Sequence, residues 1–319
     1  MTLRLGLLST ADINSKLLGG ARVAEGVEVV AVASRTRERA EAFAAEHGLG
    51  RVHGSYEALL EDPDVDAVYV PLPNSMHVPW SIRALEAGKH VLCEKPLTRR
   101  PEQAEAAFDA AERGGLVLAE AFMWRHHAQA RRLLELVAQE AVGPLRMIRA
   151  GFSFDIFATP DRADDVRLDP ALDGGALMDV GCYCVSAMRL LAGEPEAVAA
   201  QQVVGGKGVD VRLSGALRFA GDVLGVFDCG FDMVPGAHLE VIGTGGSLYL
   251  ADPWHSRATR IEVRRPGGRE VVEVAPGDPY AAELADFAAA VRGERPHPFG
   301  RADAVGQARA IAALYDAAG

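Results

Sequence analysis

The sequence predicts an α/β fold in two parts, a doubly wound parallel sheet followed by an α+β region built on a large, mostly antiparallel sheet. Three observations carry this. The 319 residues suit two domains at roughly 150 residues each. Up to about residue 120, short β-branched runs alternate with Ala- and Glu-rich stretches of helical period, the pattern of βαβ units. Beyond residue 145, longer strands follow one another across glycine turns.

In the first part the strands are Leu3 to Leu8, Val27 to Ala33, Ala67 to Leu72 and His90 to Cys93. Their uniform apolarity marks a parallel sheet covered on both faces. Helices are expected at Ile13 to Ala24, Arg37 to Glu46, Ser55 to Leu60, Met76 to Ala87 and Pro101 to Arg113, with Gly88 and Gly114 at helix-ending positions. In the second part, Leu145 to Phe154 opens the strands and a strong helix follows near Gly174 to Leu191. Seven strands come next: Val198 to Val204, Val211 to Phe219, Val223 to Phe231, His238 to Gly243, Ser247 to Leu250, Arg260 to Arg265 and Glu270 to Val274. Helices at about Tyr280 to Val291 and Arg301 to Ala317 close the chain.

Hydrophobic residues make up 49% and charged ones 24%, values of an ordinary globular protein that exclude disorder over most of the chain. Lys and Arg number 33 against 44 Asp and Glu, a net charge of −11. No basic run offsets it, which disfavours nucleic acid. Met1 to Ser9 has too short an apolar run for a signal peptide, and no window approaches about 18 uncharged apolar residues. The expected location is the cytoplasm, with no membrane partner. Cys93, Cys182, Cys184 and Cys229 lack C-x-x-C spacing and read as reduced, mostly buried thiols. The adjacent His126 and His127 point apart and chelate poorly, so no metal site is expected.

Four segments carry chemistry. Between the first strand and the first helix stands Gly6-Leu7-Leu8-Ser9-Thr10-Ala11-Asp12-Ile13. A dinucleotide fold needs small residues there so that backbone amides and the helix N-terminus approach a pyrophosphate. Gly6 is present, but Ser9 and Ala11 stand where G-x-G-x-x-G has further glycine. An ordinary strand-to-helix turn would read the same way, and the surrounding βαβ units favour the cofactor. At the end of the second strand, Ser34 and Arg35 replace the acidic residue that binds a ribose 2′-hydroxyl, and a hydroxyl with a guanidinium suits a 2′-phosphate. The alternative, that Arg35, Arg37 and Arg39 are a solvated helix face, fits Arg37 better than Arg35.

Pro71-Leu72-Pro73-Asn74-Ser75-Met76-His77 and Cys93-Glu94-Lys95-Pro96 lie at the carboxyl ends of parallel strands, where open α/β sheets bind ligands. Lys95, before a proline, has a backbone biased to extension that aims its ammonium into the cleft. A surface lysine paired with Glu94 is the alternative. In Gly174-Gly175-Ala176-Leu177-Met178-Asp179-Val180-Gly181-Cys182-Tyr183, Asp179 and Tyr183 are four apart and share a helix face. A phenol near a lysine can exchange a proton with a substrate oxygen. A dipole-compensating Asp with a core Tyr is the other reading.

Taken in order, Gly6 to Ala11 with Ile13, Asn74/His77, Glu94-Lys95-Pro96, Glu120-Ala121-Phe122-Met123-Trp124-Arg125 and Asp179-x-Gly-x-Tyr183 resemble the glucose-fructose oxidoreductase and inositol dehydrogenase (Gfo/Idh/MocA) family. The resemblance covers essentially the whole chain. It is nearest the branch containing dimeric dihydrodiol dehydrogenase and NADP-dependent D-xylose dehydrogenase. It implies an N-terminal Rossmann domain over 1–122. Residues 123–319 would form a substrate-binding and oligomerisation domain with an open-faced sheet, the last helix being able to pack back on the Rossmann domain. A homodimer or homotetramer would form through that sheet. Tyr183 sides with the sugar and dihydrodiol branch. Ser9 departs from the family's second glycine, and Ala128 stands where the branch often has proline.

The expected activity is hydride transfer between NADP, preferred over NAD, and a secondary alcohol, carbonyl or hemiacetal of a sugar, cyclitol or cyclic diol. Lys95, Tyr183 and Asp179 are the expected catalytic residues. Cofactor contacts are expected from Gly6, Ser9, Thr10, Ala11, Asp12, Ile13, Ser34, Arg35, Arg39, Pro71, Leu72, Asn74, His77, Glu94, Lys95, Glu120, Trp124 and Arg125. Lys95, Trp124, His126, Phe157, Asp179 and Tyr183 would meet substrate, with the loop Asp155 to Asp173 setting specificity. The rival readings are a nicotinamide-binding sensor without chemistry and a reductase of a non-sugar carbonyl or imine.

Overall fold

The structure, a computed structural model, describes residues 2–158, 162, 165–257 and 259–319. The chain divides into two compact units, Met1–Met123 with Asp278–Val305, and Trp124–Gly277 with Gly306–Gly319. In the first, elements alternate as β1 (Leu3–Leu8), α1 (Asn14–Ala21), β2 (Val27–Ala33), α2 (Arg37–His47), β3 (Arg51–His53), α3 (Tyr56–Leu60), β4 (Ala67–Val70), α4 (Asn74–Glu86), β5 (His90–Glu94), α5 (Pro101–Gly114) and β6 (Leu118–Ala121). Among the described residues the strands form a parallel sheet in the order β3-β2-β1-β4-β5-β6. The order reverses between β1 and β4, so the loops leaving these two strands flank the switch point where such sheets bind ligands.

Local chemistry sets the element ends. Thr36 accepts the Arg39 N–H at the start of α2, and Ser55 accepts the Ala58 N–H at the start of α3. At the end of α5 the left-handed residue is Gly115, φ +62°, and Gly114, expected to end the helix, remains helical. Strands β3 and β6 were not expected. The first is three residues with two charged or polar side chains, and Glu120 interrupts the apolar run of the second.

The second unit contains α6 (Ala128–Ala138), β7 (Leu145–Asp155), a π-helical turn (Leu177–Gly181) running into α7 (Cys182–Ala192), then β8 (Ala197–Val204), β9 (Asp210–Phe219), β10 (Val223–Gly230), β11 (Asp232–Gly243), β12 (Ser247–Leu250), β13 (Arg260–Arg265) and β14 (Gly268–Glu273). Its sheet runs β14-β13-β12-β11-β7-β10-β9-β8. It is antiparallel apart from the parallel pair β7 and β10. Helix α7 presses so closely on β10 that a Cβ on Gly225 would lie 2.7 Å from the Met188 sulfur. Pro170–Ala192 is long and apolar enough to cross a membrane by length and composition, and 78% of its most apolar 18 residues are buried within the protein.

The far face of this sheet is open. One row of side chains crosses all eight strands in register: Ala199, Ala216, Val226, Arg149, Glu240, Tyr249, Glu262 and Val271. Each is exposed or half-exposed. Charges ladder along it, with Arg149 3.7 Å from Glu240, and Arg264 3.5 Å from Glu240 and 2.9 Å from Glu262. The Arg264 guanidinium also lies 3.8 Å over the Tyr249 ring.

Helix α8 (Pro279–Val291) belongs to the first unit. Its Leu284, Phe287 and Ala288 join Leu3, Leu5, Leu7, Leu17 and Tyr69 in one core. A Cβ on Gly20 of α1 would lie 2.6 Å from the Tyr280 Cβ, so only glycine permits this helix crossing. From Gly306 onward, α9 (Arg301–Ala318) belongs to the second unit.

Candidate active site

At the end of β1 the chain turns through Ser9, whose φ of +148° lies where L side chains are strained. Its hydroxyl donates to the Pro71 carbonyl at 3.3 Å and accepts the Ala11 N–H at 3.2 Å. Asn14 Nδ2 donates to the Ser9 carbonyl at 2.8 Å. The N–H groups of Thr10, Asp12 and Ile13 donate to no atom among the described residues, and the buried Asn14 Oδ1 has no partner there. Unused amides at a strand-to-helix turn fit a pyrophosphate.

Gly6 requires a correction. It lies within β1 and not in the turn, and a Cβ there would meet Leu59 Cδ2 at 2.9 Å and Val65 Cγ1 at 3.1 Å. Its missing side chain makes room for α3, so close packing explains this glycine.

At the end of β2, Ser34 is buried and its N–H donates to the His53 carbonyl at 3.2 Å. Arg35 and Arg39 are exposed and form no ion pair among the described residues, whereas Arg37 bonds Glu41 at 2.8 Å. Two uncompensated guanidinia thus stand at the edge where a ribose 2′-phosphate would need them.

After β5 the backbone is clamped residue by residue. Tyr69 donates its hydroxyl to Glu94, whose second oxygen accepts the Lys95 N–H at 3.2 Å. The Lys95–Pro96 peptide is cis. The Leu97 N–H donates to Glu120 Oε1 at 2.7 Å. His77 corrects the expectation that it contacts cofactor. It is fully buried in the first turn of α4, with Nδ1 2.9 Å from the Pro96 carbonyl and Nε2 2.7 Å from that of Leu72, which leaves neither nitrogen for a ligand. Burial pushes its imidazole down to about 4, against the pull of the two carbonyls. Leu72 is buried in the β4 loop, and Asn74 opens α4.

In the second unit, Asp179 lies in the π-helical turn, a local winding that frequently accompanies functional sites. The buried Asp210 anchors the start of this segment. It accepts the Leu177 N–H at 2.7 Å and the Tyr315 hydroxyl at 2.9 Å. Asp179 Oδ2 is 3.5 Å from Arg167. That guanidinium also holds Asp165 in a two-pronged bond of 2.7 and 2.9 Å. Burial acts upward on the Asp165 carboxyl, but the Arg167 bonds prevail and bring it to about 2.

Tyr183 stands one turn on, against an aromatic wall. Its ring centroid is 5.5 Å from Phe152 and 5.9 Å from Trp254, and Phe152 stacks on Trp254 at 6.2 Å. Trp124 packs edge-on behind Trp254 at 5.5 Å, and His255 meets Phe152 at 5.5 Å. Trp254 is fixed by its Nε1–H donating to the Gly151 carbonyl at 2.9 Å. Phe152, Trp254 and His255 are not among the residues that the sequence singles out, because no motif spacing joins a strand residue to a turn a hundred positions later. Tryptophan's scarcity, three in the chain, was the available signal.

Trp124, Arg125 and His126 are all buried in a 3-10 turn, and Arg125 Nε donates to Ser186 at 2.7 Å. Phe157 is 55% exposed. Within the loop Asp155 to Asp173, residues 159–161, 163 and 164 lie outside the described residues. Among the described residues no three His, Cys, Asp or Glu side chains group to hold a metal.

A sheet of this strand order, with amides and guanidinia at its carboxyl edge that have no partner among the described residues, fits a dinucleotide-binding protein. Residues 11–122 match an oxidoreductase family with an NAD-binding Rossmann fold, and residues 130–249 match the Gfo/Idh/MocA C-terminal domain. The chain belongs to the Gfo/Idh/MocA family of oxidoreductases. It is 42% identical to D-xylose 1-dehydrogenase (NADP(+)) 2 of Haloferax volcanii, over 98% of this chain and 96% of that protein. It is 40% identical to a dTDP-3,4-didehydro-2,6-dideoxy-alpha-D-glucose 3-reductase of Streptomyces violaceoruber, over 91% and 85%. In structure it resembles KijD10, a 3-ketoreductase from Actinomadura kijaniata in complex with NADP and TDP-benzene, with a TM-score of 0.92, 33% identity, and coverage of 99% of this chain and 98% of that one.

Proposed function

We propose that this protein is an NADP-dependent dehydrogenase acting on a hydroxyl–carbonyl pair of a sugar or related cyclic diol. The observation that carries the cofactor choice is that Arg35 and Arg39 form no ion pair among the described residues, beside an Arg37 already neutralised by Glu41. The NADP named with the xylose dehydrogenase and with KijD10 supports it. Arg35 and Arg39 would hold the 2′-phosphate, and the amides of Thr10, Asp12 and Ile13 the pyrophosphate. When bound, the nicotinamide supplies or accepts the hydride.

The chain's own residues manage the oxygen. Tyr183 exchanges the proton of the reacting hydroxyl, and the Lys95 ammonium stabilises negative charge as it develops on that oxygen. Asp179, held by Arg167, orients a neighbouring hydroxyl. The ring wall of Phe152 and Trp254 beside Tyr183 suits the apolar face of a sugar ring. Four free, buried cysteines support a reducing compartment and hence the cytoplasm. The uncovered charged row of the large sheet supports pairing of two copies through that face, since Arg149 and Glu240 stand on neighbouring strands with opposite charge.

A second reading, reduction of a nucleotide-linked keto sugar, is favoured by the likeness to KijD10 and the Streptomyces reductase. One assay separates them: nicotinamide absorbance with NADP and NAD against free aldoses, cyclitols and a trans-dihydrodiol, and with NADPH against a dTDP-linked keto sugar. Turnover of a free aldose supports the first reading, and turnover of the nucleotide sugar alone supports the second. Binding of NADPH with silence across the panel defeats both and favours a sensor.

A further inference from the structure

The loops leaving β4 and β5 are joined through a single buried ring. His77 is 1% exposed and faces two backbone carbonyls, Leu72 at 2.7 Å and Pro96 at 2.9 Å. Proline has no N–H, so its carbonyl is the only backbone polar group by which Pro96 can be held. Lys95 immediately precedes it. The lysine is therefore bracketed, with its own N–H on Glu94, the next carbonyl facing His77, and the Leu97 N–H on Glu120. Two of these restraints use ordinary acid side chains. The third reaches across from α4 and ends on the loop that carries Pro71, itself bonded to Ser9 in the β1 turn.

Nothing else about His77 looks catalytic. It has no exposed nitrogen, and burial holds it neutral at physiological pH, so it has one N–H and donates to one carbonyl only; the tautomer with the hydrogen on Nδ1 gives that bond to Pro96. Its contribution is to fix where one backbone segment lies relative to another, and the segment it fixes ends in the lysine ammonium. A displacement of about 1 Å at a reacting group can cost on the order of 100-fold in rate.

We propose that His77 is a positioning residue, one that sets Lys95 by donating its Nδ1–H to the Pro96 carbonyl, the ring being lodged against the Leu72 loop. The inference rests on the assignment of Lys95 given above.

Asparagine and glutamine separate the two contacts. The amide nitrogen of Asn falls near the place of a histidine Nδ1, and that of Gln near Nε2. His77→Asn therefore keeps a donor toward Pro96, whereas His77→Gln keeps one toward Leu72. The protein is assayed for kcat with whichever member of the panel above it turns over, for NADPH affinity by fluorescence titration, and for Tm. We expect His77→Asn to keep kcat within about threefold of the parent, with His77→Gln and His77→Ala losing at least about tenfold, and NADPH affinity changed less than about threefold in all. If His77→Ala does not fold, the Asn and Gln pair carries the comparison. Equal kcat for Asn and Gln, or kcat and NADPH affinity lost in step, overturns the proposal. Lys95→Met runs alongside. If it is inactive while every His77 variant is unimpaired, the tether alone is wrong, and if it stays active, the assignment of Lys95 falls and the tether with it.

Discussion

Ser9 gives its hydroxyl hydrogen to the carbonyl of Pro71 at 3.3 Å while holding a φ of +148° that glycine adopts without steric cost. Two opposed effects thus meet at one residue. Strain there costs about 1–3 kcal/mol, and each hydroxyl bond returns about 1 kcal/mol. Ser9→Ala keeps the strain and loses both bonds, whereas Ser9→Gly loses the bonds and relieves the strain. We predict that Ser9→Ala melts below Ser9→Gly, the gap corresponding to about 1–2 kcal/mol. Differential scanning calorimetry on the two variants reads the order directly, and the reverse order would mean that the turn is unstrained.

Cofactor choice should follow charge at the edge of β2. Arg35→Asp places a carboxylate against the 2′-phosphate, and we expect NADPH affinity to fall by about 10- to 100-fold, or about 1.4–2.8 kcal/mol, with NADH affinity nearly unchanged. Arg37→Ala should alter neither, because Glu41 already neutralises that guanidinium. Fluorescence titration with both nucleotides checks each variant, and equal losses for the two cofactors would refute the 2′-phosphate assignment.

Removing the proposed proton-handling groups should separate chemistry from binding. Tyr183→Phe keeps the ring against Phe152 and Trp254 and removes only the hydroxyl. A loss of about 10²- to 10⁴-fold in kcat is expected, with NADPH affinity within about threefold. Retained turnover in this variant would transfer the proton role to another group.

His77 also predicts a pH dependence of stability. Its folded value of about 4 lies below the ordinary 6.5, so the unfolded chain binds the proton more readily. The preference for the folded state is then complete above pH 6.5 and declines as pH falls toward 4, by about 3 kcal/mol. Urea unfolding at pH 7 and pH 4.5 should show His77→Gln losing less stability on acidification than the parent. An equal decline in both proteins would remove His77 as the cause.

Much of the first unit was legible because its strands are continuous apolar runs. Leu3–Leu8 and Val27–Ala33 have the bounds the sequence suggests. Short or charge-bearing strands escaped, as Arg51–His53 did, because three residues carry no period. The motif at Gly6 misled for a different reason. Glycine is enriched both where ligands approach and where a helix must pack, and only the 2.9 Å approach of Leu59 separates the two. The π-helical turn under Asp179 and the wall formed by Phe152 and Trp254 depend on tertiary placement. Neither periodicity nor spacing encodes a contact between a strand and a distant turn.

Helix α8 lends the first core its Leu284, Phe287 and Ala288, although the rest of that core is encoded before residue 122. On a ribosome, the dinucleotide-binding half therefore waits, its Leu17 and Tyr69 lacking their cover, until the second sheet has been translated and residues 279–291 have emerged. Folding of the first part is thus completed by a helix made after the second sheet, and its apolar core stays incompletely covered until that helix arrives.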